Sequence, residues 1–480
     1  MIKQKKEQIV VAGATGFIGQ GIGKRLAADY NLVGLTRNPA LAAKRYGTET
    51  YRWRQCDLFS KEQVMAAMEG ADRGIYLVHS MIPSARLTQG NFRDMDLICA
   101  DNFARAARRY EFKQIIHFTG IIPKAGKLSE FLTSRLEVEN ELQAYETPVT
   151  TLRAGMVIGA GGSSTEMIVN LARRLPWMGL PRWVDSLVAP IALSDVVELM
   201  EFGIANPEYA GDSYDIGGSE VMTFRDLLEM AGQILGRKSP MISLPATAPR
   251  LSTAWVGFFS GQPRSVVRPL VESLRHDLLP EDLKFQQAAG HEPKWIRQAL
   301  EEAIEACRSK GHSERKRQEK STSMVTTDAA KEVRSVQRLP LPGGRSARWV
   351  AAEYARWLPR FMGPFIKVER RDDDSLRFYL RPLPWPMLIL ELDEDIRQED
   401  LQLFWIRGGM LAARQDEGRL EFREVLGGKK VLAAIHDFRP RLPWFIYRAT
   451  QAKIHAMVMR ALGQHLQSVE LQRLLEEKND

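Results

Sequence analysis

Cysteine is scarce in this chain: three in 480 residues, at Cys56, Cys99 and Cys307, far apart. That spacing supports neither a disulfide framework nor a cysteine-ligated metal site, and a reducing cytoplasm is the compartment that fits it. Long apolar runs are missing too. No stretch of about 18 apolar residues occurs, so no helix is expected to cross a membrane. The N-terminus carries Lys3, Lys5 and Lys6 but passes straight into Ile9-Val10-Val11-Ala12, without the apolar region and cleavage site of a secretory signal. The eight histidines show no metal-ligand spacing, so no metal is expected.

What is present is ordinary for a globular protein, with 44% hydrophobic and 26% charged residues. The length exceeds what one core supports, which implies two or more domains. The net charge of +8 is not spread evenly. Between Arg308 and Arg338 stand nine Lys/Arg against four Asp/Glu, a net of +5. A nucleic-acid binder would concentrate charge on a folded face with interleaved aromatics. This stretch reads instead as a solvated linker, so no nucleic-acid partner is expected.

From Ile9 to about Gly161, β-rich runs alternate with helical patterns. Ile9–Ala12, Leu32–Thr36, Ile75–His79, Gln114–Thr119 and Val149–Leu152 are the strands, and Lys61–Met68 and Met95–Tyr110 are among the helices. Such alternation predicts parallel βαβ units with helices on both faces. From Gly162 to Cys307 the pattern is less regular, with helices at Ser194–Ala205, Thr223–Leu235 and Ile296–Arg308. After the linker comes a helix at Arg345–Phe361, then six short β-rich runs. These are Phe365–Arg371, Leu376–Arg381, Met387–Leu392, Leu401–Ile406, Arg419–Val425 and Val431–Phe438, punctuated by Asp372-Asp373-Asp374-Ser375, Gly408-Gly409, Glu417-Gly418 and Gly427-Gly428. Tight turns between successive strands predict an antiparallel meander. In the long final helix, Ile454, Val458, Leu462, Leu466 and Val469 recur one turn apart and should be buried. The expected fold is thus an α/β Rossmann doubly wound parallel sheet, then an α+β domain with an antiparallel sheet and a long final helix. The expected limits are 1–307 for the first domain, with a substrate-covering segment from about 162, 308–338 for the linker and 339–475 for the last domain.

The first strand runs into Gly13-Ala14-Thr15-Gly16-Phe17-Ile18-Gly19, followed by a helical run. A strand-to-helix turn with glycines at this spacing lets the backbone approach a pyrophosphate and the helix pack closely on the sheet. The amides of the helix N-terminus then face the phosphates. Gly13, Thr15, Gly16, Phe17, Ile18 and Gly19 are therefore the expected cofactor loop. The second strand ends at Thr36-Arg37-Asn38, where an NAD-preferring site would place an acidic residue for the ribose 2′-hydroxyl. Arg37 instead offers a fork of donors suited to a 2′-phosphate, with Lys44 and Arg45 close behind it. NADP(H) is expected over NAD(H). His79 follows the fourth strand and is a candidate for contact with a cofactor ribose or a substrate.

These residues, with Cys56-Asp57-Leu58 after the third strand, resemble the short-chain dehydrogenase/reductase superfamily. Within it the chain is similar to the atypical, NmrA-like branch described as nucleoside-diphosphate-sugar epimerases. Asp96, Asn102, Phe118-Thr119-Gly120, Leu152-Arg153-Ala154-Gly155, Pro190-Ile191-Ala192 with Asp195, and Tyr214-Asp215-Ile216-Gly217-Gly218 extend the likeness over about residues 8–300. The resemblance implies that Asp57 and Leu58 lie against the adenine. It also implies a catalytic serine followed by a Tyr-x-x-x-Lys pair, and here the chain departs. None of its eleven tyrosines has a lysine four residues later, and the matching place reads Phe131-Leu132-Thr133-Ser134-Arg135. Phe131 has no proton to give. Arg135 keeps a charge that can hold the ribose, and Thr119 keeps a hydroxyl at the serine position. Thr119 and Arg135 are thus the residues expected at the reaction centre. Arg153, Arg174 and Arg182 are weaker candidates for an anionic pocket.

The last domain is similar in element order to the helix-grip folds of START-like (SRPBCC) domains, which implies an apolar ligand between sheet and helix. Trp385, Trp405, Trp444 and Phe445 are expected in that core or lining a cavity. His436-Asp437 offers an acid–base pair or a structural hydrogen bond. Pro443-Trp444-Phe445-Ile446-Tyr447, beside Arg439, Arg441 and Arg448, has the composition of a weak membrane-surface contact. The whole reads as an NADP(H)-dependent oxidoreductase for a small apolar carbonyl or quinone. The alternative is a non-catalytic NADP(H) sensor that lacks the Tyr/Lys pair, with sugar-nucleotide epimerisation third. The oligomeric state is not legible in these residues.

Overall fold

The computed structural model describes residues 6–79, 87–124, 126–174, 178–180, 182–237, 240–243, 272–273, 275–309, 333–371, 375–393, 398–413 and 418–478. Most of the basic stretch, the turn at Asp372-Asp373-Asp374, Glu417, and the side chains of Arg174 and Arg182 fall outside the described residues. The chain divides into two units: 1–81 with 99–321, and 82–98 with 322–480.

The first unit is built on seven parallel strands in the order Ser213–Ile216, Val149–Ala154, Ile115–Gly120, Arg73–Tyr76, Gln8–Ala12, Asn31–Thr36, Arg52–Gln55. The order reverses beside Gln8–Ala12, which makes this the doubly wound arrangement with its switch point at the first strand. A central strand with helices on both faces must be apolar on both. Ile9, Val10, Val11 and Ala12 are fully buried, Ile9 and Val11 in one core cluster and Val10 and Ala12 in the other. The helix Phe17–Leu26 buries Gly19, Ile22, Gly23 and Leu26, the 3–4 spacing of a single face. A third cluster gathers the helices Ser163–Arg174, Phe224–Ile234 and Ile296–Ser309 around Phe224, Leu227, Leu300 and Ile304.

The second unit is an eight-stranded sheet. Its order is Ile366–Arg370, Leu376–Leu380, Pro386–Leu392, Leu401–Gly408, Arg419–Val425, Lys430–Phe438, Val333–Pro340, Leu87–Gln89. All neighbours are antiparallel except the last pair, in which Val333–Ser335 runs parallel to Leu87–Gln89. Strand Val333–Pro340 lies partly within the stretch whose charge marked it as linker. Its charges are neutralised locally: Arg334 pairs with Asp437 at 3.3 Å and Arg338 with Asp94 at 2.7 Å. Composition averaged over thirty residues hid a mostly buried strand.

The helix Ala347–Phe361 and the final helix Gln451–Glu477 complete the unit. Val458, Leu462 and Leu466 are buried in its core, as their spacing predicts, joined by Ala452 and Met459. Ile454 corrects the expectation, being half exposed. The aromatic expectation needs the same correction. Trp385 and Phe445 stand in solvent, Trp405 donates its indole N–H to Asp393 at 2.8 Å, and only Trp444 packs partly on the core. Those four side chains do not line one cavity.

His436 and Asp437 are both held in buried ion pairs and hydrogen bonds. Strand Arg419–Val425 turns Leu420 and Phe422 to the core and Arg419, Glu421 and Arg423 to its other side. There Glu421, fully buried, accepts from His436 at 3.0 Å and pairs with Arg423 at 3.0 Å, while Arg419 holds Asp437 at 3.0 Å. Burial alone would raise the Glu421 carboxyl, but Arg423 and His436 hold it well below the usual carboxylate range.

Candidate functional site

In a parallel sheet the free backbone and loops that can meet a ligand gather at the carboxyl ends of the strands. The glycine loop and four of the residues singled out in the sequence sit at such ends. The glycine loop follows Gln8–Ala12, Arg37 follows Asn31–Thr36, and Asp57 follows Arg52–Gln55. His79 lies just past Arg73–Tyr76, and Thr119 closes Ile115–Gly120. One edge of one sheet brings them together.

The loop has the form that the spacing demands. Gly13 adopts φ +92°, a conformation costly for any side chain, and the Gly16 amide donates to its carbonyl at 2.9 Å. Gly19 packs so tightly that an added Cβ would lie 2.4 Å from the Gly13 oxygen. Gln20 is the first residue to donate within the helix, to the carbonyl of Gly16 at 3.0 Å. The amides of Phe17, Ile18 and Gly19 therefore precede the intrahelical ladder. Gly16 caps the helix without a side-chain acceptor, and the first turn carries no acidic residue to occupy the positive end of the dipole. Thr15 and Gly16 are exposed. The arrangement can receive an anion on backbone N–H groups.

Two tyrosines that the sequence did not announce hold this loop. Tyr46 donates to the carbonyl of Thr15 at 3.2 Å, and buried Tyr51 to that of Gly19 at 2.5 Å. They come from the segment between the second and third strands, and no local pattern marks them. Burial pushes the Tyr51 hydroxyl above the ordinary tyrosine range, so it stays a donor.

Arg37 is exposed and makes no ion pair among the described residues. Beside it Asn38 caps the helix Pro39–Tyr46 by accepting from the Leu41 amide at 2.9 Å, with Lys44 and Arg45 in the last turn. The Asp57 carboxylate accepts from the Phe59 amide at 3.2 Å and its own amide donates to Gln63 at 2.9 Å, which fixes the turn that includes Leu58. Asn102 donates to the Leu58 carbonyl at 2.8 Å from the helix Phe92–Arg109. His79 is exposed.

The reaction-centre candidates are buried. Thr119 is 2% exposed, and its hydroxyl has no hydrogen-bond partner among the described residues. Arg135, on the helix Glu130–Leu142, is 1% exposed with its guanidinium 5.1 Å from the centre of the Phe131 ring. Burial pushes Arg135 down to about 10, the nearby Tyr76 opposing, so it remains a cation at neutral pH. His117, two residues before Thr119 on the same strand face, is also buried. Desolvation, with Arg153 adding to it, pushes its imidazole down to about 3. A neutral His117 was not anticipated from the sequence.

Arg153 is engaged in an ion pair. It forms a forked pair with Glu139, with one bond of 3.0 Å, and Ser213 also donates to Glu139. This ties the helix Glu130–Leu142 to the strand Val149–Ala154. Asp195, another residue of the resemblance, accepts from the Lys294 amide at 2.9 Å and faces His291, a link between loop and helix.

Residues 13–168 match the family model described as NAD(P)H-binding. Over 146 residues the chain is 34% identical to auxiliary protein GraX of Staphylococcus aureus, a match that takes in 30% of this chain and 43% of that relative's length. Among solved structures, gox2253 superposes with a TM-score of 0.50 at 20% identity, covering 64% of this chain and 99% of that one. An NADPH-dependent quinone oxidoreductase of Escherichia coli complexed with NADPH gives a TM-score of 0.49 at 18% identity, covering 61% of this chain and 98% of that one. No described helix is long and apolar enough to cross a membrane. Sheet order, glycine loop and family match agree: the first unit has a Rossmann-type sheet, and residues 13–168 match an NAD(P)H-binding family model.

Proposed function

We propose that the first unit binds NADP(H) in preference to NAD(H) and is an oxidoreductase for a small apolar carbonyl or quinone. The observation that carries the reading is the loop Gly13–Gly19, where a Cβ on Gly19 would fill the space that lets helix and turn close. Its backbone amides fit a pyrophosphate. Arg37, exposed and uncommitted to any acid among the described residues, supplies the bidentate donors that a 2′-phosphate takes. Asp57 and Leu58 fit the adenine side, and His79 and Arg135 the nicotinamide ribose.

Bound nicotinamide supplies a hydride to the acceptor. The chain's own part is to hold and polarise that acceptor. Thr119 can donate its hydroxyl to the substrate oxygen, since no described residue claims it. Phe131 cannot give a proton, and Arg135, pushed down only to about 10, stays protonated at neutral pH. The proton that completes reduction then comes from water, from the substrate or from a residue other than Phe131. This favours acceptors such as quinones, whose reduced oxygen needs no positioned acid.

A second reading, a non-catalytic NADP(H) sensor, is favoured by one observation. Phe131, which has no proton to give, stands where the resemblance implies the tyrosine. Following NADPH oxidation by purified protein against a panel of quinones and aldehydes separates the two. Turnover above background supports the oxidoreductase. Tight NADPH binding with no turnover on any acceptor supports the sensor.

A further inference from the structure

The strands of the second unit's sheet share one end at which four connections meet. These are the turn before Ile366, the hairpin between Leu380 and Pro386, the segment after Gly408 and the segment after Phe438. Backbone hydrogen bonds join them: the Arg381 amide donates to Phe365 at 2.8 Å, Met410 to Pro386 at 3.0 Å and Arg441 to Leu411 at 3.1 Å. The tips carry large apolar side chains in solvent. Phe365 is 61%, Trp385 62% and Phe445 73% exposed. Phe365 closes the short 3-10 turn Gly363–Phe365, Trp385 lies in the hairpin, and Phe445 stands in the first turn of the helix Trp444–Ala449.

The charge of these segments is mostly positive. Arg360, Arg381, Arg441 and Arg448 are exposed and form no ion pair among the described residues. In 359–366, 380–387, 409–418 and 439–452 the sequence has six arginines against two acids, Asp416 and Glu417. Aromatic tips set among arginines match the boundary of a lipid bilayer, where rings rest at headgroup depth and guanidinium groups meet phosphate. The excess of arginine over acid favours an anionic leaflet, to which each basic group near the surface adds attraction. A soluble acidic protein would match the charge but would leave three separated aromatic tips without pockets.

We propose that this end of the second unit's sheet docks on an anionic lipid surface. Its aromatic tips enter the headgroup layer and its arginines pair with lipid phosphates, while the sheet itself stays outside the hydrocarbon. The reading is independent of what the first unit binds.

The test is co-sedimentation of the full chain with vesicles of phosphatidylcholine alone or with roughly one-third phosphatidylglycerol. Binding is expected only to the anionic vesicles, and about 0.5 M sodium chloride should weaken it by screening. Trp385→Ser with Phe445→Ser, and separately Arg381→Gln with Arg441→Gln, should each weaken it by about tenfold or more. All four positions are exposed, so unchanged thermal unfolding serves as the folding control. No sedimentation with anionic vesicles, or sedimentation indifferent to both variants, overturns the proposal. It is also overturned if sedimentation velocity shows a dimer that the aromatic variant dissolves, for then a second copy covers this surface.

Discussion

Gly19 stands so close to Gly13 that a single methyl group on it would lie 2.4 Å from the Gly13 carbonyl oxygen and 2.7 Å from the Cα of Ala14. Both neighbours are backbone and cannot swing aside. The helix N-terminus can press on the turn only because Gly19 has no side chain, and the amides of Phe17 and Ile18 precede the intrahelical ladder there.

Gly19→Ala should therefore cost stability and affinity together. Moving the helix off the turn is an overpacking defect of about 1–3 kcal/mol. Thermal unfolding and NADPH titration on the same variant check both effects. A fully stable Gly19→Ala with wild-type affinity would contradict the close packing.

Arg37→Ala should discriminate between cofactors. A lost bidentate contact to a 2′-phosphate is expected to weaken NADPH by about tenfold or more and to leave NADH nearly unchanged. Fluorescence titration with both nucleotides decides this. Equal losses would remove Arg37 from the 2′-phosphate.

Thr119→Val tests the reaction centre with little structural penalty. Its hydroxyl is buried with no hydrogen-bond partner among the described residues, so replacing it with a methyl should change stability by less than about 1 kcal/mol or even raise it. If the hydroxyl meets the substrate oxygen, turnover falls while NADPH affinity holds. Unchanged turnover would assign Thr119 to packing alone.

Acid should destabilise the protein earlier than its carboxylates alone would. Burial pushes His117 down to about 3 and His455 down to about 4. Below the ordinary histidine value the unfolded chain takes up protons that the folded chain refuses. The contribution is thus complete above pH 6.5 and declines as pH falls toward those folded values. At pH 5 the loss should reach about 1–2 kcal/mol per histidine. The Glu421 and Asp437 carboxylates, which burial would raise but Arg423, Arg419 and Arg334 hold low, add a further loss below the ordinary carboxylate range. Urea unfolding at pH 7 and pH 5 should show the decline, reduced in His455→Gln. A flat profile across that interval would contradict it.

The fold was largely readable because its signals are local. Ile9–Ala12 followed by the glycine turn announces strand, loop and helix. The alternation in Arg419–Val425 predicts a strand whose limits the structure repeats. What escaped the reading depends on distant partners. Val333–Pro340 looked like linker because Arg334 and Arg338 seem solvent-bound until Asp437 and Asp94 are found beside them. Tyr46 and Tyr51 support the glycine loop from about thirty residues away, beyond any motif. Trp385 reads as interior because aromatic side chains usually are, yet it stands exposed in the hairpin after Leu380. Phe445, exposed in the helix Trp444–Ala449, fits the surface reading of its segment and not the interior one.

The most direct test is calorimetric titration of the purified chain with NADPH and NADP⁺. The account predicts saturable binding at one site per chain, weakened by Gly19→Ala. A chain that is folded yet shows no heat of binding with either nucleotide, or with NADH, would contradict it.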